Sequence, residues 1–150
     1  MSKTIEILNR KASHLYFLVQ SYEAGIQLTG TEVKSVRSGK ANLSDSYCNF
    51  DNGQLYAHHI HISEYEQGSI QNHDPKRPRK LLLNRSELKK LERKISEKGM
   101  TIVPIKMYFS ERGMIKLEIS LATGKKSFDK RETLKEKDVK RDMDRNFKTR

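Results

Sequence analysis

The chain has 150 residues, 35% hydrophobic and 33% charged, with 30 Lys plus Arg against 19 Asp plus Glu and a formal net charge of +11. That length holds one domain plus an appendage, and the positive surplus disfavours compaction while drawing the chain towards polyanions. A single cysteine, Cys48, excludes an internal disulfide and suits a reducing, cytoplasmic compartment; no run of about 18 apolar residues exists to span a membrane, and residues 1–10 lack the apolar stretch of a signal peptide.

Two strand-like runs, 15–19 and 22–28, are rich in aromatic and branched residues. Thr31 then opens a short helix, with Val33 and Val36 facing a core, Lys34 and Arg37 facing outward, and Gly39 suited to the left-handed stop. Residues 45–51 and 54–62 flank Asn52-Gly53, a strong hairpin signal because both residues tolerate positive φ. Along the second strand Tyr56, His58, Ile60 and Ile62 alternate with Leu55, Ala57, His59 and His61, so the buried face is ambiguous.

Periodicity disappears over residues 64–80, where Pro75 and Pro78 punctuate Lys76, Arg77, Arg79 and Lys80. Prolines prevent a helix there and hold the backbone extended, which predicts that these cations are presented to a partner. Asn84 and Glu87 then match a capping box. Leu88, Leu91 and Ile95 follow at helical spacing as core, and Gly99 closes the helix. A second hairpin joins 101–109 to 114–122, with Ile115, Leu117, Ile119 and Leu121 pointing one way and Lys116, Glu118 and Ser120 the other. Six hairpin-linked strands with inserted helices predict a mainly β fold, a small antiparallel barrel whose closure removes exposed edges.

Composition shifts at Gly124: residues 124–150 carry 7 Lys and 4 Arg against 6 acids. Val139, Met143 and Phe147 would line one face of a helix. No second helix is evident for that face to pack on, and an isolated helix of this length is marginal in water. The expectation is a barrel over residues 1–123 and a basic tail over 124–150, disordered when free and helical against a partner.

Nothing in the sequence favours an enzyme. His59 and His61 alternate onto one strand face as two metal ligands could, but no Cys pair or helical His-Glu-X-X-His spacing completes a site. Cys48, between Tyr47 and Phe50 on a predicted strand, reads as a buried inert thiol. No metal, cofactor or catalytic residue is assigned. Recognition of folded RNA needs cations on a rigid frame plus polar groups for ribose and base edges. Asn9, Arg10, Lys11, Lys34, Arg37, Lys40, Asn42, the 76–80 segment and Lys116 supply those types. Composition alone leaves a nonselective RNA-binding or ribosomal protein equally open.

A resemblance separates these readings. Residues 9–12 (Asn-Arg-Lys-Ala), 22–26 (Tyr-Glu-Ala-Gly-Ile), 29–35 (Thr-Gly-Thr-Glu-Val-Lys-Ser) and 45–47 (Asp-Ser-Tyr) resemble successive motifs of the SsrA-binding protein family, SmpB. So do Arg37 with residues 39–42, the run 73–83, Tyr108-Phe109, residues 124–126 and 129–131, in family order over nearly the whole chain. The resemblance implies a barrel of the oligonucleotide-binding (OB) type that grips the tRNA-like domain of transfer-messenger RNA, as a monomer pairing one to one with it. It points to Glu23, Lys116 and, more loosely, Lys80 and Leu82 as contacts. Asn9, Arg10, Lys11, Lys34, Arg37 and Asn42 join them on chemistry and motif together. Glu23 is open between accepting a base amine and orienting a nearby cation by an ion pair. The resemblance further implies that the tail, through Lys125, Lys126, Phe128, Asp129, Lys130, Arg131, Lys135 and Lys137, enters the empty messenger channel and decoding centre of the ribosome. Phe128 stands where the family often has Tyr or His, so stacking is kept and the polar contact is lost.

Overall fold

The computed structural model describes residues 5–66 and 72–125. In chain order its elements are β1 (Glu6–Leu8), α1 (Ala12–Leu15), β2 (Tyr16–Ile26), α2 (Gly30–Arg37), β3 (Ala41–Asn42) and β4 (Tyr47–Asp51). There follow β5 (Gln54–His58), β6 (His61–Ile62), β7 (Arg79–Leu82), α3 (Arg85–Lys98), β8 (Thr101–Phe109) and β9 (Ile115–Gly124). Seven strands run antiparallel in the order β1-β8-β4-β5-β7-β2-β9, and a β8–β9 pairing closes six of them into a ring. The six-stranded barrel is therefore present, with β1 added outside β8 and a separate β3–β6 pair beside it.

Local sequence explains the boundaries. Asn52 and Gly53 have φ of 53° and 75°, the geometry a two-residue hairpin needs to match strand twist. α2 is capped by Thr29 rather than Thr31: the Thr29 hydroxyl accepts from the Glu32 amide and the Glu32 carboxylate accepts from the Thr29 amide. Val36 is buried while Lys34 and Arg37 face outward, as the helical spacing predicts. Asn84 caps α3 by accepting from the Glu87 amide, and Gly99 ends it at φ 63°, where a Cβ would be strained. Leu91 is fully buried, so α3 rests on the barrel along the predicted stripe.

Several expectations need correction. Runs 15–19 and 22–28 form one strand, β2, whose pairing with β9 shifts between Leu18 and Gln20. That bulge lets one strand bend round the barrel, so the polar interruption at Gln20-Ser21 is not a turn. Leu15 ends α1 instead of starting a strand. The expected strand 54–62 breaks at His59, φ 65°, and the phase of burial changes there. Leu55 and Ala57 point inward before the break, Ile60 and Ile62 after it, which accounts for the ambiguous alternation and removes the shared strand face proposed for His59 and His61. The aperiodic segment 64–80 contains the start of β7. Its cations are not all presented. Arg79 is 0% exposed, and Arg77 is half-buried beside it.

The barrel interior is filled by Ala24, Leu55, Leu81, Met107, Leu117 and Ile119, together with further fully buried aliphatics. Cys48 lies in this core, and burial pushes its thiol far above the ordinary range, consistent with an inert side chain. None of the described helices is long and apolar enough to cross a membrane.

Candidate nucleic-acid interface

Strand register brings the expected contact residues together. Leu82 on β7 pairs with Gly25 on β2, Gly25 with Lys116 on β9, and Lys116 with Tyr108 on β8. These four positions form one outward rung across four strands, since the residues flanking each in sequence on β2 and β9 point into the core. Glu23 lies on the same face of β2, opposite Glu118, which is itself opposite Lys106. Gly25 supplies no side chain, and a Cβ there would meet the Leu82 Cβ at 3.4 Å. The result is an apolar notch of about 300 Å³ bordered by Leu28, Val33, Leu82, Met114 and Lys116. Leu82 is 47% and Met114 60% exposed, so apolar surface sits directly beside a cation.

Among the described residues Glu23 makes no ion pair with a cation. Its Oε2 accepts a hydrogen bond from the Tyr108 hydroxyl, which reaches across β9. Desolvation, then the bond to Glu23, then the charges of Glu23 and Glu118 push the Tyr108 phenol up to about 12. The phenol is thus protonated at neutral pH and remains a donor. One carboxylate oxygen is anchored, and the other can accept from a ribose hydroxyl or base amine. Lys106 neutralises the neighbourhood: its Nζ lies 3.6 Å from Glu6, 3.9 Å from Glu118 and 5.2 Å from the Tyr108 ring centroid. Lys116 makes no ion pair among the described residues and stays available to a phosphate.

The other predicted contacts are dispersed. On α2, Lys34 places its Nζ 5.4 Å from the Tyr65 ring centroid, and Arg37 is exposed in the last turn. Lys40 pairs with Glu66 at 3.0 Å, both exposed, a contact worth at most about 1 kcal/mol. Asn42 accepts the Ser44 amide at 2.8 Å and shapes a turn. Asn9 is a clamp between strands: its Nδ2 donates to Pro104 O and its main-chain amide to Ile105 O, each at 2.8 Å. Its buried Oδ1 has no hydrogen-bond partner among the described residues. Arg10 and Lys11 are exposed beside it. Lys80 lies on β7 two residues before Leu82. Of the tail candidates only Lys125 is described; its amide donates to Leu15 O at 3.0 Å and its Nζ lies 5.1 Å from the Phe17 ring centroid. Lys126, Phe128, Asp129, Lys130, Arg131, Lys135 and Lys137, with the face of Val139, Met143 and Phe147, lie outside the described residues.

Sequence reasoning missed the network that positions β7. Glu32, 0% exposed, receives Arg77 through two bonds (Nε to Oε2 at 3.0 Å, Nη2 to Oε1 at 2.7 Å) and Arg79 Nε at 2.7 Å. Arg79 also donates to Ile60 O at 2.7 Å and Pro75 O at 3.1 Å. Burial alone would raise the Glu32 carboxyl, but bonds from Arg77 and Thr29 with the charge and bond of Arg79 hold it below its ordinary value. His73 completes the anchorage through Ile62 O and Thr31 Oγ1, each at 2.8 Å. A Thr-X-X-Glu capping spacing at residues 29–32 could have flagged Glu32; no local signal marks Arg79 as buried.

Among the described residues no group of three or more His, Cys, Asp or Glu is arranged to hold a metal ion. A family model described as SmpB protein matches residues 6–149. The SsrA-binding protein of Moorella thermoacetica is 49% identical, covering 100% of this chain and 98% of that relative. The SsrA-binding protein of Phocaeicola vulgatus is 54% identical, covering 96% of each. A solved chain described under "tmRNA-SmpB: a journey to the center of the bacterial ribosome" superposes with a TM-score of 0.70 at 47% identity, covering 86% of this chain and 94% of that one.

Proposed function

The chain belongs to the SmpB family, and from that membership we propose that it binds the tRNA-like domain of transfer-messenger RNA and delivers it to stalled ribosomes for trans-translation. It acts in the cytoplasm as an adaptor without a catalytic step, one copy to one RNA. The observation that carries the reading is the outward rung Leu82–Gly25–Lys116–Tyr108, with Glu23 held beside it by the Tyr108 hydroxyl. Lys116 meets a phosphate, Glu23 accepts from a ribose or base donor, and the Leu82 notch receives an apolar sugar or base face. A mixed site of this kind suits a folded RNA, recognised by shape, 2′-hydroxyls and exposed bases.

The two-part division follows as a proposal. The barrel positions the RNA, while the basic segment after β9 probes the vacant messenger channel and decoding centre. Truncation after Lys125 keeps the Lys125–Leu15 bond and tests this. Binding of the tRNA-like domain is expected near wild-type, with tagging of stalled nascent chains abolished; equal loss of both refutes the division. On the barrel, Lys116→Ala is expected to weaken binding and lower the salt slope by about 1. An unchanged slope removes Lys116 from the phosphate contacts.

A further inference from the structure

The face that carries Glu23 holds two lysines, and they are not equivalent. Lys116 shares a rung with Glu6, Tyr108, Gly25 and Leu82 and makes no ion pair among the described residues. Lys106 stands on the next rung, Leu8–Lys106–Glu118–Glu23. There Glu118 and Glu23 are directly opposite on neighbouring strands, and like charges so placed repel. Lys106 flanks Glu118 on the other side, with its Nζ 3.9 Å from Glu118 Oε1, 3.6 Å from Glu6 Oε2 and 5.2 Å from the Tyr108 ring centroid. Neither carboxylate reaches the roughly 2.7–2.9 Å of a charge-assisted bond, so the ammonium is shared between them rather than anchored to one. The side chains of Lys106 and Glu118 are 30% and 32% exposed, and water screens the pair only in part. The same Tyr108 ring that meets the ammonium sends its hydroxyl across β9 to Glu23.

We infer that Lys106 is a positioning residue for RNA recognition: it offsets Glu118 and steadies the Tyr108 ring, so that the hydroxyl holds Glu23 with one carboxylate oxygen open to the RNA. Without the ammonium, Glu118 repels Glu23 along the rung and the ring loses its cation partner. Both changes loosen the bond between hydroxyl and carboxylate. Lys106 is not itself a phosphate contact. Two carboxylates already share it, so an approaching phosphate meets their charge together with that of the ammonium. Lys116 meets a phosphate without such a competitor. One lysine touches the RNA backbone; the other acts through Tyr108 and Glu23. This role rests on the proposed binding of the tRNA-like domain at this face.

The test measures binding of the full chain to the isolated tRNA-like domain over a series of salt concentrations. Lys106→Met is expected to weaken binding roughly 2- to 10-fold, the range for one hydrogen bond, with the slope of log affinity against log salt as in wild-type. Lys106→Gln should match it, and Lys106→Arg should stay near wild-type because the charge is kept. In a Glu23→Gln background the Lys106→Met loss should vanish, since residues that act through one contact are not additive. Thermal midpoints close to wild-type show that the variants fold. A slope lowered by about 0.7–0.9 overturns the inference and makes Lys106 a phosphate contact. An undiminished loss in the Glu23→Gln background overturns it by making Lys106 a strut of the barrel, and so does an affinity of Lys106→Met equal to wild-type. Lys116→Ala and Glu23→Gln, measured alone, report on the face itself. If both bind as wild-type, the face is not the site and the role of Lys106 falls with it. A defect in either, beside an adverse Lys106 result, removes the role of Lys106 alone.

Discussion

Replacing Glu32 by Gln keeps the shape of the side chain and removes the one charge that faces two guanidiniums. Arg79 and Glu32 are both fully buried, and Arg77 is 33% exposed at its side chain. In the variant Arg79 is left as a buried cation against neutral acceptors at Ile60 and Pro75, because a guanidinium does not deprotonate. Breaking a buried pair from one side costs about 3–5 kcal/mol, which corresponds to a fall in Tm of roughly 10–20 °C for a domain of this size. Thermal unfolding followed by circular dichroism reads this directly. The sign with pH is also fixed. The folded Glu32 carboxyl sits below its ordinary value near 4.5, so it contributes stability above that value, and the contribution is lost as pH falls through the folded pKa. As pH falls below about 4.5, wild-type stability is therefore expected to drop more steeply than that of Glu32→Gln. A Tm change under 3 °C, or parallel pH profiles, would refute the assignment of Glu32 as the charge that balances both arginines.

Two further outcomes follow from single contacts. Tyr108→Phe removes the donor to Glu23 and is expected to weaken binding of the tRNA-like domain roughly 2- to 10-fold, equivalent to about 0.5–1.5 kcal/mol, by filter binding; an unchanged affinity would show that the hydroxyl does not position Glu23. Leu91→Ala, at a fully buried site on α3, is expected to cost about 2–5 kcal/mol in urea unfolding, and a loss below 1 kcal/mol would mean that α3 does not seal the core.

The barrel was legible because its signals are local or strictly periodic. Asn52-Gly53, the Asn84 and Gly99 caps and the alternation of β9 from Ile115 to Ile119 each act over a few residues, and each recurs in the structure, whereas Ser120, expected to point outward, is buried. What stayed hidden depends on partners distant in sequence. The continuity of β2 is decided by its register with β9, a hundred residues later, so Gln20-Ser21 looked like a break. The rung joining Leu82, Gly25, Lys116 and Tyr108 exists only once four strands are paired; residue chemistry and motif named three of its surroundings, Glu23, Leu82 and Lys116, but not the hydroxyl that holds Glu23.

The basic segment 76–80 shows how far a charge count can mislead about a binding surface. Four cations stand there in sequence, and proline-rich extended backbone normally exposes such groups. Glu32 reverses this for two of them, because a carboxylate buried by the α2 capping box is stable only if cations follow it inward. Arg79 is enclosed and Arg77 is held by a two-point bond, which leaves Lys76 and Lys80 as the two cations of the run not drawn in by Glu32. Each phosphate neutralised contributes about 0.7–0.9 to the salt slope of RNA binding. The joint Lys76→Ala and Lys80→Ala variant is therefore expected to lower the slope by no more than about 2 with little change in Tm. Arg79→Met should lower Tm and, at a temperature where it remains folded, leave the slope as it was. A slope that falls on Arg79→Met while the fold persists would mean that the guanidinium leaves Glu32 when RNA binds, and the anchorage of β7 would then be part of recognition rather than its support.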